Sequence, residues 1–165
     1  MTEIIIRPIR ESDGAGFHAT LDAVAKEGML ARSHAPPLEI TAAFIRKNIA
    51  DGHVQMVAEA QGIIVGWCDI LPRQAQGADT GVVGMGVLRE YRGRGIGKEL
   101  LSQALIAIGQ KKFQRIELTV RADNLAAIHL YKKHGFIVEA HFQREEQGKV
   151  VPLFIMSLKK DANAA

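Results

Sequence analysis

Three glycines in five residues, Gly93, Gly95 and Gly97, stand between an apolar run at 82–87 and an amphipathic stretch ending near Gln110. The segment reads Tyr91-Arg92-Gly93-Arg94-Gly95-Ile96-Gly97-Lys98. A strand, a tight turn and a helix start therefore meet at one point. The first amides of a helix have no internal partner, and the helix dipole adds positive potential there. Glycine lets a ligand approach the backbone closely and adopts positive φ without strain. Arg92, Arg94 and Lys98 add full charges. Segment 89–115 holds seven Lys/Arg and two Asp/Glu, a balance of +5 in a chain whose total is +3. This concentration of donors and charge suits a pyrophosphate.

Known phosphate motifs do not fit the spacing. A P-loop has four residues between its glycines and then Gly-Lys-Ser/Thr, and that pattern is absent. A dinucleotide fingerprint needs Gly-x-Gly-x-x-Gly and an acid at the end of the next strand. Here the glycines alternate, and Glu117 falls inside the apparent strand at 116–120. A plain turn with a solvated basic face would explain the charges. It would not explain three glycines where an ordinary helix start is better served by other residues.

The rest of the chain alternates helix and strand, with no repeat and no low-complexity linker. Strands are predicted at 2–8, 54–60, 63–71, 80–88, 115–120, 136–142 and 151–158. The pair at 54–60 and 63–71 flanks Gln61-Gly62 and reads as a hairpin. Helices are predicted from Ser12 or Asp13 towards Glu27, over 39–50, from Ile96 onward and over 124–134. The second shows an apolar stripe at Ile40, Phe44, Ile45 and Ile49. The third places Ile96, Leu100, Leu101, Ala104, Leu105 and Ile108 on one face. Gly81, Gly84 and Gly86 crowd the strand at 80–88, which suggests a bulge or a close ligand approach. Loops are expected at 28–38 and 72–79, and a frayed end at 159–165.

At 165 residues one domain, 1–165, is expected. No apolar stretch approaches a membrane span, and the start of the chain lacks signal-peptide features. A single Cys68 excludes an internal disulfide framework and fits a reducing, cytoplasmic compartment. Charge of +3 and nine aromatic residues argue against nucleic acid as a partner. The six histidines, His18, His34, His53, His129, His134 and His141, show no metal-ligand spacing, so no metal is expected.

A second constellation lies further on: Asn124-Leu-Ala-Ala127-Ile-His-Leu-Tyr131-Lys-Lys-His-Gly135-Phe136. Together, Arg92-x-x-Gly95-x-Gly97 and Asn-x-x-Ala-x-x-x-Tyr-x-x-x-Gly-Phe resemble the GCN5-related N-acetyltransferase (GNAT) superfamily. Ile6-Arg7-Pro8-Ile9-Arg10-Glu11-Ser12-Asp13 and Ile64-Val65-Gly66-Trp67 are similar to the family's opening and middle strands. The resemblance covers roughly residues 3–158. It implies an α/β fold with a mixed, mostly antiparallel, splayed sheet of six or seven strands and about four helices. It also implies acetyl-CoA as cofactor. The pantetheine arm is expected against the backbone of Met85, Gly86 and Val87, with Gly84 and Gly86 giving room. The pyrophosphate is expected on Arg92, Gly93, Arg94, Gly95, Ile96 and Gly97. Asn124 is implied as a further cofactor ligand, and Lys133 or Lys132 as a reach to the phosphates.

By the same resemblance Tyr131, seven residues and two helical turns after Asn124, sits beside the cofactor sulfur. Its phenol, with a reference pKa near 10, can protonate a departing thiolate. A packed ring with a surface hydroxyl is the competing reading. No base is named: many relatives carry an acid near positions 80–83, where this chain has Thr80-Gly81-Val82-Val83. Candidates for a base elsewhere are Glu27, Asp69 and Glu139, each of which reads rather as a solvated surface carboxylate; His134 either lines the site or is helix-end chemistry. The acceptor pocket is expected from 27–38 and 141–151. Arg32 and Arg144 there match a carboxylate, favouring an amino acid or similar small-molecule amine. Gly148-Lys-Val-Val-Pro152-Leu-Phe-Ile-Met156 resembles small-substrate acetyltransferases, though these often have Asp where Pro152 stands. The expected reaction is direct acetyl transfer to a primary amine in a ternary complex, by a homodimer. Two alternatives stay open: a protein N-terminal acetyltransferase, and a non-catalytic coenzyme A-binding regulatory module.

Overall fold

The computed structural model describes residues 2–73, 79–109 and 113–159. Seven strands form one mixed sheet and four helices accompany them, as the resemblance implied. The strands are β1 (Ile4–Pro8), β2 (Val54–Ala60), β3 (Ile63–Pro72), β4 (Thr80–Val87), β5 (Arg115–Arg121), β6 (Ile137–Glu146) and β7 (Lys149–Lys159). The helices are α1 (Gly14–Ala25), α2 (Leu38–Ala50), α3 (Ile96–Ile108) and α4 (Leu125–Lys133). The order across the sheet is β1-β2-β3-β4-β5-β7-β6. No described helix is long and apolar enough to cross a membrane.

The chain divides into two compact units, Met1–Leu71 with Gly84–Ile108, and Pro72–Val83 with Gly109–Ala165. β4 passes from the second into the first at Val83. In the first unit β1, β2 and β3 pair antiparallel. Gln61 and Gly62 both have positive φ, 51° and 80°, which gives the right-twisted two-residue turn predicted between β2 and β3. Phe17 and Val24 of α1, Ile45 of α2, and Ile9, Val57, Ile64 and Trp67 form one apolar cluster. Phe17 and Trp67 meet edge to face at 5.7 Å. α3 buries Ile96, Leu100, Leu101, Ala104 and Ile108, five of its six predicted face residues.

Two helix readings need correction. Of the stripe on α2 only Ile45 faces the packing side: Ile40, Phe44 and Ile49 are exposed, and Ile45 is buried together with Thr41 and Asn48. The buried polar pair is hydrogen-bonded, Thr41 Oγ1 to the Pro36 carbonyl at 3.4 Å and Asn48 Nδ2 to Gln55 at 3.3 Å, so hydrophobicity alone misplaced the face. Asp13 precedes α1 but its side chain makes no cap bond. Arg7 donates two 2.8 Å bonds to that carboxylate and the Arg10 amide a third at 2.7 Å. The Arg7 guanidinium chiefly holds the Asp13 carboxyl below the usual aspartate range. α1 ends at Ala25, short of Glu27, and Gly28 follows at φ 82°.

In the second unit β7 pairs antiparallel with the whole of β5 and with β6. β6 and β7 run longer than predicted. Gln147 and Gly148 adopt φ of 50° and 74°, so the hairpin zips to a two-residue turn and most of the 143–150 gap left between the predicted strands is strand. The parallel β4–β5 ladder is short: Thr80, Gly81 and Val82 pair with Arg115, Ile116 and Glu117. The core here is built from Ile116, Leu118 and Val120 of β5, Ile128 and Tyr131 of α4, Phe136, and Leu153 and Met156 of β7. Of the loop expected at 72–79, residues 74–78 lie outside the described residues, as does the expected frayed end beyond Lys159.

Candidate functional site

β4 ends at Val87, a 3-10 turn spans Arg89–Tyr91, and the glycine turn follows. Gly93 and Gly95 have φ of 75° and 79°, values that side-chain-bearing residues rarely adopt. A β-carbon placed on Gly95 would meet nothing within 4 Å, so the turn is open on that side. Buried Ile96 anchors the start of α3. The Glu99 amide bonds the Gly95 carbonyl at 3.0 Å, the first bond of the helix. The amides of Ile96, Gly97 and Lys98 thus precede the helical ladder and have the orientation of anion donors. An open glycine turn, leading amides and exposed Lys98 fit the diphosphate of coenzyme A.

The two turn arginines have protein partners already. Arg92 donates from Nε to the Val87 carbonyl at 2.9 Å and pairs with Glu27 at 2.8 Å. Arg94 donates to the Glu90 carbonyl at 3.1 Å and its guanidinium stands 5.1 Å from the Tyr91 ring centre. They brace the turn. Glu27, read from sequence as solvated, is in fact the Arg92 partner. The Val87 carbonyl, expected to face a ligand, accepts from Arg92.

The glycines of β4 serve a different end from the one expected. A β-carbon on Gly86 would lie 2.5 Å from the Trp67 ring, and one on Gly84 would lie 2.9 Å from Asp69 Oδ1. The space at both positions belongs to the chain's own side chains.

Asp69, expected in solvent, is 8% exposed. It sits on β3 opposite Gln55 of β2. Burial pushes its carboxyl up to about 7, while the Gly84 amide and the more distant charge of Arg32 act in the other direction. An acid inside the run Ile63–Pro72, otherwise almost wholly apolar, was the available signal of a buried carboxylate. Arg32 is exposed and, among the described residues, forms no ion pair.

The second unit holds the other expected residues. Asn124 is the N-cap of α4, its Oδ1 accepting from the Ala127 amide at 3.3 Å. Tyr131 is buried, its ring centre 5.9 Å from that of Phe136. Lys133 is exposed in the last turn of α4. Arg144 on β6 is ion-paired with Glu146, so its guanidinium is occupied. Glu139, read as solvated, pairs with Arg115 and with Lys159. The first unit thus gathers Met85, Gly86, Val87, the 92–97 turn, Asp69 and Arg32, and the second carries Asn124, Tyr131, Lys133 and Arg144.

A profile of the acetyltransferase (GNAT) family matches residues 20–136. The chain is 35% identical over 101 residues to the L-amino acid N-acetyltransferase AaaT of Escherichia coli, covering 57% of this chain and 60% of that one. It spans at most 60% of the length of the curated relatives it matches. The structure of a GNAT-family acetyltransferase from Streptococcus pneumoniae superposes with a TM-score of 0.87 at 28% identity, over 96% of this chain and 100% of that one. YncA of Salmonella typhimurium, solved with its cofactor acetyl-CoA, shares the fold with a TM-score of 0.88 at 20% identity, over 98% and 96% of the two chains. With its glycine turn, its α4 motif and a profile match across most of its length, this chain belongs to the acetyltransferase (GNAT) family.

Proposed function

We propose that residues 1–165 form a single acetyl-CoA-dependent N-acetyltransferase domain that acetylates the primary amine of a small amino-acid-like molecule by direct transfer. The observation that carries this reading is the open turn at Gly93 and Gly95 leading into the first amides of α3. Acetyl-CoA bound there supplies an acetyl thioester. The amides of residues 96–98 and Lys98 hold its diphosphate, and Arg92 fixes the turn by tying it to Val87 and Glu27. Tyr131 gives its phenolic proton to the departing sulfur. Arg32, exposed and without an ion pair among the described residues, is free to receive an acceptor carboxylate in a two-pronged bond. Arg144 needs Glu146 to let go first. The similarity to an L-amino acid N-acetyltransferase supports an acceptor of that kind. We extend the reading to a cytoplasmic homodimer.

Thiol release from acetyl-CoA with a panel of free amino acids, polyamines and N-terminal peptides tests the reading. An amino acid should be the preferred acceptor. Preference for a peptide would move the function to protein modification, and silence towards every amine would leave a coenzyme-binding module. Gly95→Val forces a side chain onto a φ of 79° and into the turn, so coenzyme A affinity should fall at least tenfold in a protein that still folds. Tyr131→Phe should lower turnover about tenfold or more with acetyl-CoA affinity unchanged. Sedimentation at micromolar concentration should give the dimer mass.

A further inference from the structure

We infer that Asp69 is the base that takes the proton from the acceptor's ammonium group, an assignment that rests on the acetyl-transfer reading above. Four features of the first unit point to it. The residue is an acid held almost wholly inside the fold, 8% exposed. It lies over the β4 backbone, 2.9 Å from where a β-carbon of Gly84 would stand, so the glycine keeps open the place the acid occupies. No cation is paired with it among the described residues. Finally, the in-register residue on β2, Gln55, is buried with an Nε2 that donates to nothing among the described residues. A buried polar pocket with an unused donor beside an unpaired acid is costly in a purely structural role.

The surroundings of Asp69 are mostly uncharged. Gln55 comes from β2, linked through Asn48 of α2 to His53. The Gly84 amide comes from β4, and among the described residues Arg32 from the loop after α1 supplies the one charge that acts on the carboxylate from a distance. Next along β3, Cys68 is the other titratable group, and burial, with the Asp69 charge second, holds its thiol well above the ordinary range. It stays neutral and does not compete. Burial thus brings the Asp69 carboxyl to about 7, where about half of it is ionised near neutrality and the ionised half is strong enough a base to share an ammonium proton. Arg32, whose charge is felt at Asp69, can meanwhile hold the acceptor's carboxylate.

The proton balance closes. Asp69 removes one proton from the ammonium. The freed nitrogen pair forms the N–C bond to the acetyl carbonyl as the C–S bond breaks. Tyr131 protonates the sulfur and regains a proton from the newly acylated nitrogen through solvent. Asp69 returns its proton to water. One ammonium and one acetyl thioester yield one amide, one thiol and one released proton.

Two measurements test the assignment. In protein labelled with carboxyl-¹³C aspartate and free of acetyl-CoA, one resonance, absent from Asp69→Asn, should titrate near pH 7. A midpoint below about 5 would overturn the proposal. In the transfer assay, Asp69→Asn keeps the size and the acceptor atom facing Gly84, and coenzyme A affinity should hold. Its kcat/KM for the preferred amino acid should be at least 100-fold lower at pH 7. The deficit should shrink as pH rises and the amine loses its proton unaided. A structural role would give a deficit independent of pH. An active wild-type protein whose Asp69→Asn variant matches it in rate and pH profile would overturn the base role alone. A wild-type protein inactive towards every amine would overturn the transfer reading, and the base role with it.

Discussion

Asp69 on β3 and Glu117 on β5 are both buried strand carboxylates, 8% and 6% exposed, and they are treated in opposite ways. Glu117 is gripped from two sides, by Arg73 at 2.8 Å and by Arg115 at 3.1 Å. Asp69 has an amide, a glycine gap and a distant arginine. A buried charge that is fully paired belongs to the architecture, because removing it strands its partners. A buried acid left unpaired raises its proton affinity instead, and that costs stability at neutral pH in exchange for a group able to move a proton.

Stability measurements can break this contrast. Glu117→Ala should cost most, roughly 2 kcal/mol, below the usual value for a broken buried pair because Arg73 is half exposed and Arg115 keeps Glu139. Denaturant unfolding at pH 7 reads it; a neutral effect would mean the cluster is ornamental. Asp69→Asn should have the opposite sign and gain about 1–2 kcal/mol at pH 7. Its pH dependence follows from a folded value near 7 against an unfolded value near 3.8. Below pH 4 the acid is protonated in both states and the two proteins should be equally stable. The advantage of the variant should grow between pH 4 and 7 and level off above. A loss of stability there would place Asp69 with Glu117 as a structural group. Gly84→Ala is the smallest expected effect, a loss of about 1 kcal/mol as its methyl displaces Asp69 Oδ1. In an Asp69→Ala background that loss should disappear, the coupling expected of two groups in contact.

Much of the frame was legible in the sequence because it rests on local rules. The β2–β3 hairpin follows from Gln61-Gly62, and the α3 face from its 3.6-residue period. The turn at Gly93 and Gly95 was visible because positive φ selects glycine. The readings that failed depend on contacts distant in sequence. α2 buries Thr41 and Asn48 because partners at Pro36 and Gln55 satisfy them, which no hydrophobic period records. Asp69 and Glu27 read as solvated because their environment is made by β4 and by Arg92, far along the chain. The glycines of β4 were recognised as making room, and only the fold shows that Trp67 and Asp69 fill it.

The chain has a single tryptophan, and it is the residue whose ring edge fills the gap at Gly86. Trp67 is therefore a built-in optical gauge of β4. A ligand that lies along the Met85–Gly86–Val87 backbone would disturb the strand on which the indole rests. Emission colour and intensity would report that arrival with no label attached, and time-resolved mixing could separate cofactor docking from the later proton transfers.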